Sequence, residues 1–174
     1  LRGKILVKKL IIVRYGEIGL KGLNRRFFED KLVKHIRHAV SDLGKPKVYK
    51  EHARIYIEVN NDNEEEIIDR IRKIFGIVSV SVTYKLDVNM DIIKEYVVRE
   101  IEMAKLNRSI KTFKIQAKRA DKSFPMESLE INREIGGFIL NKYSDLTVDV
   151  HNPDILINVE IRNYAFVYSE KIPC

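Results

Sequence analysis

At 174 residues with 45% hydrophobic side chains, the chain can bury one large core or two small ones, and no apolar run is long enough to span a bilayer. One cysteine, Cys174, excludes an internal disulfide framework and fits a reducing compartment; no charged n-region with a following apolar h-region opens the chain, so a cytoplasmic location is expected. The net charge of +7 is uneven: residues 1–86 hold 19 Lys and Arg against 11 Asp and Glu, residues 87–174 hold 13 against 14, and a polyanion partner competes with a merely solvated surface.

In chain order, Lys9 to Tyr15 is a β-branched run that reads as a strand, stopped by the glycine-punctuated turn Gly16 to Gly22. Asn24 caps a helix reaching about Leu43, with Phe28, Leu32, Ile36, Val40 and Leu43 at helical spacing; Gly44 and Pro46 end it. Lys47 to Glu51 and Arg54 to Val59 read as paired strands. A helix from about Asn63 to Phe75 follows, capped by Gly76, and then a strand from Val78 to Leu86. The order βαββαβ is that of a ferredoxin-like domain, expected over residues 1–86. Beyond Asp87 come a helix from Met90 to Ala104, a strand from Thr112 to Ala117 and a loop with Pro125. A helix from Glu127 to Tyr143 and short strands at Leu146–Val150, Ile155–Ile161 and Tyr164–Ser169 complete a second α/β domain, residues 87–174.

The glycine turn is not a nucleotide loop. Leu23 and Asn24 follow Gly22 where a Walker motif needs Lys and then Ser or Thr, and no G-x-G-x-x-G is present. Its glycines supply positive φ for a tight crossover, or Lys21, Arg25 and Arg26 touch RNA backbone there. On the first helix Arg26, Lys34 and Arg37 cluster beside Phe27, which reads as a plug between domains or a stacking platform. The richest chemistry is the strand and loop from Thr112 to Pro125. Lys118, Arg119 and Lys122 gather charge before a helix N-terminus, and Phe124 stacks a base or staples the loop. Gly136-Gly137 inside the next helix costs about 1 kcal/mol per glycine relative to Ala, which implies close approach by RNA or by a packed strand. No catalytic set is visible. His35 and His38 lack zinc-spaced partners, and Asp149, Asp154 and Glu160 read as solvated residues on strand edges.

Two separated motifs then meet. Tyr15 to Glu29 (YGEIGLKGLNRRFFE) resembles the opening of the ThiI-type tRNA 4-thiouridine synthetases, and Phe75 to Ser79 (FGIVS) the phrase that closes their ferredoxin-like domain. Lys111 to Ser128, Gly136-Gly137, and Asn152-Pro153-Asp154 through Val159-Glu160-Ile161 resemble a THUMP domain; Lys171 to Cys174 resembles the segment before the next domain. The resemblance implies a tRNA-binding region that positions tRNA by its acceptor stem and 3′ CCA end for ATP-dependent thiolation of uridine 8. Many members also serve thiamine biosynthesis. In that family a PP-loop domain with S-G-G-x-D-S binds ATP and Mg, and a cysteine desulfurase donates the sulfur.

No such motif occurs here, so no cofactor is expected in this chain. It is expected to be inactive alone and to work with a PP-loop domain in cis or in trans, without a membrane. The missing initiator Met and the end at Cys174 suggest a fragment, and a homodimer stays open. Carried over by residue, RNA contact falls on Lys114, Lys118, Arg119, Lys122, Phe124 and Arg133. Lys21, Arg25, Arg26 and Arg37 extend that track or hold the catalytic domain. Rival readings are the RNA-binding module of another THUMP enzyme, such as a methyltransferase, and a dimerisation or regulatory domain.

Overall fold

The computed structural model describes residues 7–16, 23–51 and 53–174. They fall into two compact units: one is Lys9–Thr83 with Lys171–Cys174, the other Tyr84–Glu170 with the start of the first strand. The glycine turn past Gly16, residues 17–22 with Lys21, and the residue His52 lie outside the described residues.

In the first unit the elements run β1 (Val7–Tyr15), α1 (Leu23–Ala39), β2 (Val48–Glu51), β3 (Arg54–Glu58), α2 (Glu64–Ile71) and β4 (Ile77–Leu86), which continues into the second unit. The strand order β2-β3-β1-β4, with β1 and β2 both antiparallel to β3, is the ferredoxin-like arrangement. β1 is central, so Leu10, Ile11, Ile12 and Val13 are buried consecutively instead of alternating. Ile11, Val13, Ile55 and Ile57 meet Leu32, Val33 and Ile36 of α1 and Ile67 and Ile71 of α2 in one core.

α1 stops at Ala39, a turn before the expected end. There the i→i+3 bonds Ser41 N–H to His38 O and Leu43 N–H to Val40 O tighten the backbone, and Gly44 turns at φ 79°. α2 likewise ends at Ile71, with Lys73 N–H to Arg70 O and Ile74 N–H to Ile71 O. A strand not expected from sequence, β9 (Ile172–Pro173), pairs with β4 through Ser79↔Pro173 and ties Lys171–Cys174 to this unit.

In the second unit α3 (Met90–Asn107) is followed by β5 (Thr112–Arg119), α4 (Ser128–Lys142), β6 (Thr147–Val148), β7 (Ile155–Ile161) and β8 (Ala165–Tyr168). Asn89 starts α3 by accepting the Asp91 and Ile92 N–H groups. β5 lies between β6 and β7, parallel to both, and β8 is antiparallel to β7. Phe113, Ile115, Ile157, Val159 and Ile161 point to the buried stripes Ile93, Val97, Ile101 of α3 and Ile131, Ile135, Ile139 of α4. Burial of that many aliphatic side chains, at roughly 25 cal/mol per Å² of apolar surface, is what holds these helices on the sheet.

Candidate nucleic-acid interface

α4 has two faces. One is the buried isoleucine stripe; the other carries Leu129, Arg133, Gly137 and Leu140 at steps of four, four and three residues, with the buried Gly136 at the border of the two faces. With Phe113, Ile115 and Val148 this second face lines a groove of about 650 Å³. A Cβ built on Gly136 or Gly137 meets nothing within 4 Å. The glycines therefore do not admit a packed strand; they leave an open bed along the groove. Leu129, Val148 and Val150 are exposed and apolar, while Lys114 and Arg133 in the same lining are cationic. A flat apolar group with a phosphate attached suits that mixture.

The loop after β5 is braced from within. Arg119 donates from its guanidinium to Phe124 O at 3.1 Å, and its backbone N–H donates to Ser128 Oγ at 3.2 Å. Asp121 accepts from Ser123 N–H and Oγ–H, bonds that hold its carboxyl below the usual carboxylate range. Phe124 packs against the core, so it staples the loop, the second of the two roles weighed for it. Lys118 and Lys122 are exposed. Lys114, Lys118, Lys122 and Arg133 form no ion pair with any described residue, leaving four uncompensated cations on one strand, one loop and one helix.

The remaining expected contacts belong to α1 of the first unit. Arg25 is tied to Glu29 at 3.0 Å, and Tyr15 beside them has its hydroxyl pushed up to about 12, by burial first and then by the Glu29 carboxylate. Arg37 donates to Val48 O at 2.8 Å. It lines a separate groove of about 680 Å³ with Phe27, Lys31, Lys34, Tyr49 and Lys50. Arg26 is exposed and outside that lining, and Phe27 is 71% exposed.

Of the carboxylates expected to be solvated, Asp154 is exposed and Asp149 partly exposed while each holds backbone donors, and Glu160 is buried, which corrects that expectation. Asp154 accepts the Lys111 N–H at 2.8 Å and the Thr112 N–H at 3.1 Å, and these bonds lower its carboxyl. Asp149 is lowered by the Asn152 and His151 N–H groups. Glu160 is 4% exposed, with Arg162 at 3.9 Å. They close turns and strand ends, and none forms an acid/base pair with another. Among the described residues no cluster of His, Cys, Asp and Glu could hold a metal ion, and no helix is long and apolar enough to cross a membrane.

Sequence reasoning reached the cations and the paired glycines but not Leu129, Asn132, Leu140, Val148 and Val150. The signal was present in part, as an apolar and small-residue stripe on α4 that complements its isoleucine stripe.

The ThiI ferredoxin-like domain matches residues 10–81, and the THUMP domain matches residues 87–170. The "Probable tRNA sulfurtransferase" of Alkaliphilus oremlandii is 58% identical over 95% of this chain, and that of Alkaliphilus metalliredigens is 49% identical over 95%. The chain spans 43% and 42% of the length of those two relatives. A 4-thiouridine synthetase solved as an RNA complex with bound ATP superposes with a TM-score of 0.86 at 33% identity, over 96% of this chain and 42% of that one. With both domain matches in order along the chain, it belongs to the ThiI family of tRNA sulfurtransferases, whose ferredoxin-like and THUMP regions it carries.

Proposed function

We propose that this region grips the acceptor end of tRNA, seating the single-stranded 3′ CCA tail in the groove between α4 and β5. It thereby presents uridine 8 for ATP-dependent thiolation by the PP-loop domain that the family carries. The observation that supports this most is the open glycine bed of that groove among four uncompensated cations. Phosphates would meet Lys114, Lys118, Lys122 and Arg133, while Arg119 and Phe124 hold the loop that presents them. Lys21, Arg25, Arg26 and Arg37 are proposed as further cations on the ferredoxin-like region, for RNA or for the catalytic domain. Shape and the unpaired tail, instead of helix sequence, would select tRNA.

These residues do not supply the S-G-G-x-D-S loop, so no step with ATP and Mg is assigned to them. A cytoplasmic location, sulfur from a cysteine desulfurase, a homodimeric full-length state and a part in thiamine biosynthesis belong to the same proposal.

The test is binding of the chain to tRNA with and without its CCA end, across salt, for the native sequence and for Gly137→Leu. Loss of the tail is expected to weaken binding about tenfold, and Gly137→Leu to erase that difference. Equal affinity for both RNAs would overturn the assignment.

A further inference from the structure

In one wall of the α4–β5 groove, the edge of β5 beyond β6 keeps a single open backbone donor, the Ile115 N–H, beside that residue's own C=O. β7 occupies one edge of β5 from Phe113 to Arg119. On the other edge β6 reaches only Thr112 and Phe113, where the Asp149 N–H donates to Phe113 O at 3.0 Å. Farther along, side chains substitute for a strand: Asn132 Oδ1 accepts the Ala117 N–H at 2.8 Å, and Ser128 Oγ accepts the Arg119 N–H at 3.2 Å. Strand alternation turns the N–H and C=O of Ile115 to this same edge, between the two closures. No described residue bonds to either group. Ile115 and Gln116 both line the groove, opposite Leu129 and Leu140. A backbone donor and acceptor held in such a wall are satisfied by water or by a ligand that brings one acceptor and one donor side by side.

We propose that the Ile115 N–H and C=O read the Watson–Crick edge of one unstacked nucleobase, adenine or cytosine, lying over Gly136-Gly137. This rests on the RNA-binding reading above and adds to it a base preference carried by backbone. An added peptide strand fits poorly, because strand addition uses a run of open donors as well as acceptors and Asn132 and Ser128 occupy the next two donors on this edge. A base needs only one position. Adenine and cytosine share one order of groups, an exocyclic amino donor beside a ring-nitrogen acceptor; guanine presents the reverse order, and uracil matches the first order only through its ring N–H and O2. The strand fixes the direction from N–H to C=O. With the phosphate side set by Lys114 and Arg133, a given seating satisfies one order only. Asn132 is then a positioning residue: it keeps the next N–H occupied, so the edge presents a single donor.

The experiment uses the 174-residue chain and a tRNA acceptor stem-loop with a single-stranded tail. The tails are CCA, no tail, and CCA with one amino group deleted at a time: purine riboside for the adenosine, or pyrimidin-2-one riboside for either cytidine. One of the three analogues is expected to bind about tenfold more weakly than CCA, because it leaves the Ile115 carbonyl without its donor. The other two are expected to stay within about twofold. If all three match CCA while the tail-less RNA binds weakly, the base reading by Ile115 falls and the groove assignment stands. If the tail-less RNA binds as well as CCA, the groove assignment itself falls.

Discussion

The Gly16 N–H donates to the Gly76 carbonyl at 3.1 Å, joining two motifs that lie sixty residues apart in the chain. Gly76 sits at φ 97°, and a Cβ there would come within 3.0 Å of Phe28 Cζ. The Phe28 ring in turn lies 5.9 Å from that of Tyr15, at the end of β1. The end of β1, the start of α1 and the turn into β4 therefore meet at one glycine, which explains why YG, RRFF and FG occur together in this unit.

Gly76→Ala is expected to destabilise the protein by about 2 kcal/mol, from the unfavourable backbone region and the Phe28 contact together. Gly44→Ala is the control. Gly44 has φ 79° with nothing within 4 Å of its Cβ position, so only the backbone penalty of about 1 kcal/mol applies. Urea unfolding midpoints of the two variants measure the difference, and equal losses would show that the Phe28 contact carries no weight.

Gly137→Ala should move stability the other way. Its Cβ enters open space on a helix, where replacing Gly by Ala gains up to about 1 kcal/mol. A raised unfolding midpoint together with weaker RNA binding would mark the glycine as kept for the groove. A raised midpoint with unchanged binding would mean that a methyl group fits beneath the ligand.

The order of elements was legible because each signal was local: isoleucine stripes on α2, α3 and α4, alternation along β3 and β7, and glycine after α1 and α2. Helix ends were less legible, since the i→i+3 bonds closing α1 and α2 depend on how the next segment leaves. β9 was invisible because Ile172–Pro173 becomes a strand only against Ser79 and Val80. At the site, Lys118 and Lys122 stood out by charge and Gly136-Gly137 by composition. Nothing local told Arg119 apart from Lys118, since the difference is a hydrogen bond to Phe124 O. Asp154 is the surface acid that its sequence context suggests, but nothing local shows that Lys111 and Thr112, over forty residues away, donate to it.

Asp154 and Asp149 make acid stability testable. Both carboxyls are held below their ordinary value by backbone N–H donors, so the stabilisation they give is present above the unfolded value, about 4. It is lost as pH falls through the lower folded values. Asp154→Asn is expected to lower stability at pH 7 and to flatten the decline between pH 4 and pH 2, relative to the native chain. Thermal midpoints across that range decide; parallel curves for the two proteins would mean the carboxylate is not the group being titrated.

The cations separate into those that meet phosphate and the one that builds the loop. Lys118, Lys122 and Arg133 have no ion-pair partner among the described residues, so each substitution by Ala should cut the salt dependence of RNA binding. The expected change is about 0.7–0.9 in the log–log slope for each phosphate that is no longer neutralised. Arg119→Ala removes the donor to Phe124 O and loosens the braced loop, so it is expected to cost about 1 kcal/mol of stability. Its salt slope should stay close to native when binding is measured well below the melting transition. A slope that drops for Arg119→Ala as much as for Lys118→Ala would mean that its guanidinium leaves Phe124 to meet RNA, making the loop's brace part of the bound state.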